Sequence, residues 1–206
     1  MSKSIRLYLI ENDEQRDIAR VIVEQNHSYV PSFDSVGRRI DWFICVDDRI
    51  VGVIGVGSAT YPPCKDVLSR LGVTKKEYKS IFNNIANNWR FCMKERIPNI
   101  GTRILKEMRG MAQYEWKKKY GDDLRYIITF VGGGHDGAVY KADNWEIIGT
   151  TSGLPSHKSV SMKWDNNEGI KDKFVKPTGE DKKIIFFKEL PKKMKSPQQD
   201  NLLFEL

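Results

Sequence analysis

The feature that most constrains this chain is an apolar helical stripe bracketed by two extended runs. After Pro98, the residues Ile104, Leu105, Met108, Met111, Ala112 and Trp116 recur at the spacing of one helix face, and the pattern stops near Gly121. Trp89–Lys94 before it and the strongly apolar Leu124–Val131 after it read as strands. The order strand, loop, helix, strand predicts an α/β (α+β) sheet domain. A second such unit follows: Gly132-Gly133-Gly134 breaks the chain, a short helix is expected from about Gly137 to Ala142, and Trp145–Thr150 resumes extended structure.

The N-terminal half supplies more of the sheet. Ile5–Ile10 alternates as a strand, and Asn12 or Asp13 can cap a helix carrying Ile18, Ala19, Ile22 and Val23 on one face. Asn26–Arg39, rich in Pro, Ser and Gly, reads as a loop that brings His27 and Tyr29 within reach of a site. Asp41–Val46 and Ile50–Ser58 are β-branched runs joined by Asp47-Asp48, which predicts a hairpin, and Gly52, Gly55 and Gly57 within it suggest a bulge or a close approach by another group. From Lys65 to Asn87 the pattern is helical, with a capping box at Thr74 and Glu77 opening a helix expected to run through Ile85. Ser159–Trp164 and Lys183–Leu190 are further strand candidates, separated by a polar stretch from Glu168 to Lys183. Residues 1–190 form one expected domain, and 191–206 a basic C-terminal tail.

Composition narrows the function. At 206 residues with 40% apolar and 30% charged side chains the chain has globular values. No apolar run reaches the roughly 20 residues a bilayer requires, and Met1–Leu9 lacks a signal-peptide core, so a soluble cytoplasmic protein without a membrane partner is expected. Cys45, Cys64 and Cys92 are odd in number and form no CxxC pair, and the three histidines have no ligand-spaced partner, so no metal motif is visible. The net charge of +7 is concentrated in residues 65–125, where 15 basic side chains face 7 acidic ones. Such a band is either a lysine-rich solvated surface or the footprint of a polyanion or phosphate-bearing cofactor.

Three constellations could carry chemistry. Arg96-Ile97-Pro98-Asn99-Ile100-Gly101-Thr102-Arg103 lies between a strand and a helix. It is an ordinary turn or a pyrophosphate cradle, in which the unpaired amides of residues Ile100 to Arg103 bind the anion and Arg96 and Arg103 add charge. His135 and Asp136 follow the glycines: His135 is a general-base candidate or a solvated loop residue, Asp136 a helix cap, and His27 an alternative base. Trp42, Trp89 and Trp145 are core residues or stacking platforms for a base.

These motifs carry a resemblance. Arg96-x-x-Asn99-x-Gly101 resembles the pyrophosphate loop of the GNAT N-acetyltransferases, with Asn for its first Gly, and Tyr140-Lys-Ala-Asp-Asn144-Trp145 resembles their second signature, with Asn144 for Gly. The resemblance spans roughly residues 5–151. It implies a mixed, mostly antiparallel sheet with helices on both faces and a splayed central strand pair, about Trp89–Lys94 and Leu124–Val131. It also implies acetyl-CoA or a related acyl donor at Arg96, Asn99, Ile100, Gly101, Thr102, Arg103 and Asn144, with Tyr140 protonating the departing thiolate. Asn tolerates the left-handed conformation better than other non-glycine residues, so the backbone path can survive both substitutions.

A narrower resemblance, to phage Mom DNA-modification proteins and a related domain of Druantia-type defence systems, rests on Asn26-His27-Ser28-Tyr29, Asn88-Trp89-Arg90-Phe91, Asn99-x-x-Thr102-x-x-Leu105 and Gly137–Trp145. It implies transfer of an acyl-derived group to adenine in DNA, with Arg90, Thr102 and Tyr140 at the functional positions and His27 and Tyr29 near the site; with these, His27 and His135 are the further catalytic candidates, and Tyr29, Arg38, Arg39, Lys141 and Trp145 the candidate nucleic-acid contacts. The alternatives are an acetyl-CoA-dependent N-acetyltransferase of a small or protein amine, and a non-catalytic DNA-binding defence module.

Overall fold

A computed structural model describes residues 3–28, 32–34, 37–153 and 182–192. Among the described residues, seven strands form one sheet: β1 (Ile5–Leu9), β2 (Arg39–Val46), β3 (Arg49–Ser58), β4 (Ile85–Met93), β5 (Tyr126–Val131), β6 (Glu146–Thr150) and β7 (Ile184–Glu189), in the order β1-β2-β3-β4-β5-β7-β6. Every neighbouring pair is antiparallel except β4 and β5, which run parallel. The helices are α1 (Asp13–Asn26), α2 (Lys65–Leu71), α3 (Lys75–Ile81), α4 (Gly101–Tyr120) and α5 (Ala138–Ala142). Among the described residues, no helix is long and apolar enough to cross a membrane.

Local chemistry fixes several of these elements. Asn12 and Gln15 make a reciprocal capping box that starts α1, and Thr74 and Glu77 do the same for α3. The β2–β3 hairpin turns on Asp47 and Asp48, both at positive φ (50° and 62°), which gives a two-residue turn the twist the strands need. Gly55 sits at a register shift between β3 and β4, where a Cβ would collide with the Asp41 carboxylate. Its absence lets the Trp89 indole N–H reach Asp41 Oδ1 at 3.0 Å across β3.

The core lies on both faces of the sheet. On one face α4 buries Ile104, Leu105, Met108 and Trp116 against Trp42 and Ile44, as its apolar stripe predicts. On the other, Ala19, Ile22 and Val23 of α1 meet Phe43, Val53 and Cys92. Tyr78 and Val67, from α3 and α2, pack with Ile85, Ile128 and Phe187. The mixed, mostly antiparallel sheet with helices on both faces is the expected architecture.

Several boundaries differ from the sequence reading. The helix opened by Thr74 stops at Ile81, a single 3-10 turn covers Phe82–Asn84, and β4 begins at Ile85 rather than Trp89. Pairing of Ser58 with Ala86 and of Tyr126 with Ile85 draws this segment into the sheet, overriding the local helical pattern. β2 likewise starts at Arg39, inside the expected loop. Trp145 stands before β6 and hydrogen-bonds back to the α5 carbonyl of Tyr140. The proposed strand at Ser159–Trp164, most of the polar stretch after it, residue Tyr29 and the tail from position 193 lie outside the described residues.

Candidate active site

The site begins where two parallel strands part. β4 and β5 pair only over Ile85–Asn87 and Tyr126–Ile128, and at the next rung a side chain replaces the backbone ladder: the Thr129 hydroxyl donates to the Asn88 carbonyl at 3.0 Å. Beyond it the strands diverge around a cavity of about 640 Å³. One side of that cavity is walled by Ile97, Ile100, Gly101, Ile104 and Val139, the other by His27, Ser28, Arg90 and His135.

The first side ends at the N-terminus of α4. Asn99 adopts the left-handed conformation (φ 63°), the path Gly takes in the resembling loop, and Ile100 precedes the helix without a side-chain cap. The first-turn amides of a 20-residue helix are therefore not taken by a capping side chain, and the helix dipole favours an anion there. Arg96 is exposed at the cavity rim. Gly101 is required for packing, since a Cβ there would lie 2.5 Å from Val139 Cγ2 of α5. Thr102 is half-buried and lines no part of the cavity, and Arg103 turns away to donate to the Lys3 carbonyl at 2.9 Å.

Tyr140 is held by a helix-terminating motif. Asn144, at φ 55°, follows the end of α5; its N–H donates to the Lys141 carbonyl at 3.0 Å, and the Trp145 N–H reaches the Tyr140 carbonyl at 2.9 Å. This is a Schellman termination, whose usual apolar contact is here the edge-to-face pair of the Tyr140 and Trp145 rings, 5.1 Å apart. The five-residue spacing of tyrosine and aromatic thus has a mechanical reason. Trp145 donates through its indole to Asp143, which also pairs with Arg109 of α4, so α5 is anchored to α4. The Tyr140 hydroxyl, on a residue only 7% exposed, donates to Asn88 Oδ1 at 2.7 Å.

The opposite side gathers cationic and imidazole groups. Arg90 donates through Nε to the Ser32 carbonyl at 2.9 Å and through Nη1 to the Trp89 carbonyl at 2.7 Å. His135 Nε2 is 2.8 Å from Ser28 Oγ, while Asp136 accepts from the Ala138 amide and pairs with Lys141. Burial, then the nearby Arg90 and His135, push His27 from its ordinary 6.5 down to about 4, so its imidazole is neutral at pH 7. The unfolded chain then binds the additional proton between pH 4 and 6.5, and stability falls as pH drops through that window. For this half-buried ring the loss is on the order of 2 kcal/mol after solvent screening. Urea midpoints measured from pH 7 to pH 4 should decline less for His27→Gln than for the wild type; equal slopes would remove the assignment. Cys92 also lines the cavity, but burial pushes its thiol up to about 11 and its Sγ lies 3.9 Å from the Ile22 carbonyl, so it is no thiolate nucleophile.

The residues expected on nucleic acid are placed differently. Arg39 is sandwiched at 4.1 Å and 4.3 Å from the Phe33 and Trp89 rings and paired with buried Asp41. Arg38 lies over Tyr120 and pairs with Asp122 at 2.5 Å, at the far end of α4. That end is about 30 Å from Gly101 by helix rise. Trp145 is 4% exposed and belongs to the core, which corrects its reading as a stacking platform. Lys141 remains half-exposed in its pair with Asp136. Conversely, the expected site residues omitted Asn88 and Thr129, although two polar residues in otherwise buried strands are a recognisable signal.

No family model matches the sequence. No curated protein matches it either. Solved structures do match in shape. An N-acyl amino acid synthase, FeeM, from uncultured soil microbes superposes with a TM-score of 0.54 at 15% identity, covering 93% of this chain and 92% of that one. A GNAT family acetyltransferase from Elizabethkingia anophelis with acetyl-CoA bound gives 0.52 at 11% identity, covering 91% and 98%. A Bacillus subtilis acetyltransferase in complex with CoA gives 0.50 at 14% identity, covering 90% and 100%. With its sheet order and splayed strand pair, this chain has a GNAT-like fold.

Proposed function

We propose that the chain is an acyl-CoA-dependent N-acyltransferase acting on the amine of a small molecule or protein. The observation that carries the reading is a single cavity with the uncapped N-terminus of α4 at one side and the hydroxyl-bearing Tyr140 in its lining. The donor supplies an activated thioester carbonyl. Its pyrophosphate would rest on the amides of residues 101–103, with Arg96 at the rim, and its apolar arm against Ile97, Ile100 and Val139. The acceptor nitrogen forms the new C–N bond as the C–S bond breaks. Tyr140 gives its proton to the leaving sulfur, and the proton lost by nitrogen returns to the phenolate through solvent.

Calorimetric titration with CoA tests the donor site directly. Wild-type protein should bind, and Arg96→Ala should weaken binding about 3- to 10-fold, with a smaller difference at high salt. A folded protein that binds neither CoA nor acetyl-CoA would end the proposal.

A second reading applies the same bond exchange to the exocyclic amine of adenine in DNA, and the basic excess of residues 65–125 favours it. The inward engagement of Arg38, Arg39 and Trp145 makes the small-amine reading the stronger one. Mass spectrometry of products from an amine panel and from DNA nucleosides separates the two. DNA binding that survives Tyr140→Phe without turnover would instead indicate a binding module.

A further inference from the structure

We propose that Asn88 is a positioning residue for Tyr140, fixing where its phenolic proton points. This deepens, and rests on, the acyltransferase reading. Asn88 is 4% exposed, and its side-chain amide is engaged on both ends. Nδ2 donates to the Gly55 carbonyl at 2.8 Å and to the Arg90 carbonyl at 3.0 Å, while Oδ1 accepts from the Tyr140 hydroxyl at 2.7 Å.

The orientation of this amide is dictated by its neighbours. Gly55 and Arg90 present carbonyl oxygens, which can only accept, so the NH₂ group must face them. The carbonyl end is left facing Tyr140, whose hydroxyl must then be the donor. At rest the phenolic proton is therefore directed at Asn88. A phenol O–H prefers the plane of its ring, so the proton has two favoured directions, and Asn88 occupies one of them.

Asn88 owes its place to a register irregularity between β3 and β4. The register shift between Gly55 and Val56 leaves Arg90 opposite Gly55 and Asn88 opposite Val56, with Trp89 extra between them. The side chain of Asn88 satisfies one carbonyl of each strand beside that shift, Gly55 of β3 and Arg90 of β4, and its own backbone carbonyl accepts from Thr129 of β5. One residue thus links β3, both splayed strands and α5.

The test has two independent readouts. In protein carrying carbon-13 at the tyrosine ζ position, the Tyr140 signal is the one that Tyr140→Phe removes. Asn88→Asp, isosteric and negatively charged, should raise the titration midpoint of that signal by about one unit or more. In steady-state kinetics Asn88→Ala should lower kcat about 10-fold, with the donor KM within about two-fold. In a Tyr140→Phe background the same substitution should cost no more than about two-fold. An unchanged Tyr140 titration in Asn88→Asp would overturn the proposal, as would an equal kcat cost for Asn88→Ala in both backgrounds, the mark of a purely structural residue. If no amine is acylated, the acyltransferase reading fails by itself, while the tyrosine titration still decides whether Asn88 governs Tyr140. If Asn88→Ala does not fold, Asn88→Asp carries both readouts.

Discussion

Tyr140→Phe is expected to lower the rate of acyl transfer about 100-fold, the lower range for loss of a general acid, with donor affinity changed less than about three-fold. The separation follows from the geometry. Phenylalanine keeps the ring that stands 5.1 Å from Trp145 and 5.4 Å from Phe186, so α5, its termination and the Gly101–Val139 contact persist. What disappears is one hydroxyl, leaving Asn88 Oδ1 without its donor, at a cost to stability of about 1–3 kcal/mol. Single-turnover measurements with saturating donor isolate the chemical step from product release. A rate within a few-fold of wild type would remove Tyr140 from the chemistry and leave it a core residue. Because its hydroxyl serves a leaving group, the deficit should shrink with a donor whose thiol is more acidic, a dependence that loss of packing would not produce.

Much of the site's frame was legible because it is built from local rules. The positions of Tyr140, Asn144 and Trp145 could be read as a unit because a Schellman termination fixes them within six residues. Asn99 took the left-handed turn expected of it for a similarly local reason. The β-branched apolar runs of β2 and β3 and the stripe of α4 identified the central sheet and its covering helix. What escaped depends on partners distant in sequence. The start of β4 at Ile85 is set by β3 and β5 neighbours rather than by its own residues. The inward turn of Arg39 depends on Phe33, Asp41 and Trp89 coming together, and the meeting of Ser28 with His135 spans 107 positions. Asn88 was visible as part of a motif, but its purpose is invisible until Gly55, Arg90 and Tyr140 surround it. Sequence periodicity reports which face a residue occupies, and it cannot report which hydrogen bond that residue completes.

Gly137→Ala should be among the most damaging small substitutions in the chain, lowering stability on the order of 2–4 kcal/mol. Two costs coincide there. Gly137 stands at φ 71° at the start of α5, a conformation in which any L side chain costs about 1 kcal/mol. Its Cβ would also overlap the end of the Phe186 ring, which is fully buried and has Tyr140 packed beside it. Gly134 separates these contributions, since it lies at φ 78° with nothing within 4 Å of an added Cβ. Gly134→Ala should therefore cost only the conformational part, about 1 kcal/mol. Urea denaturation of the two variants gives the difference directly, and Phe186→Leu should recover part of the loss in Gly137→Ala while destabilising the wild type. Equal effects of the two alanines would mean that the Phe186 ring yields freely and does not hold Tyr140 in place. A large difference would show instead that the start of α5, the Phe186 ring and the proposed acid are one packed unit, so that catalysis and stability fail together when a single methyl group is added.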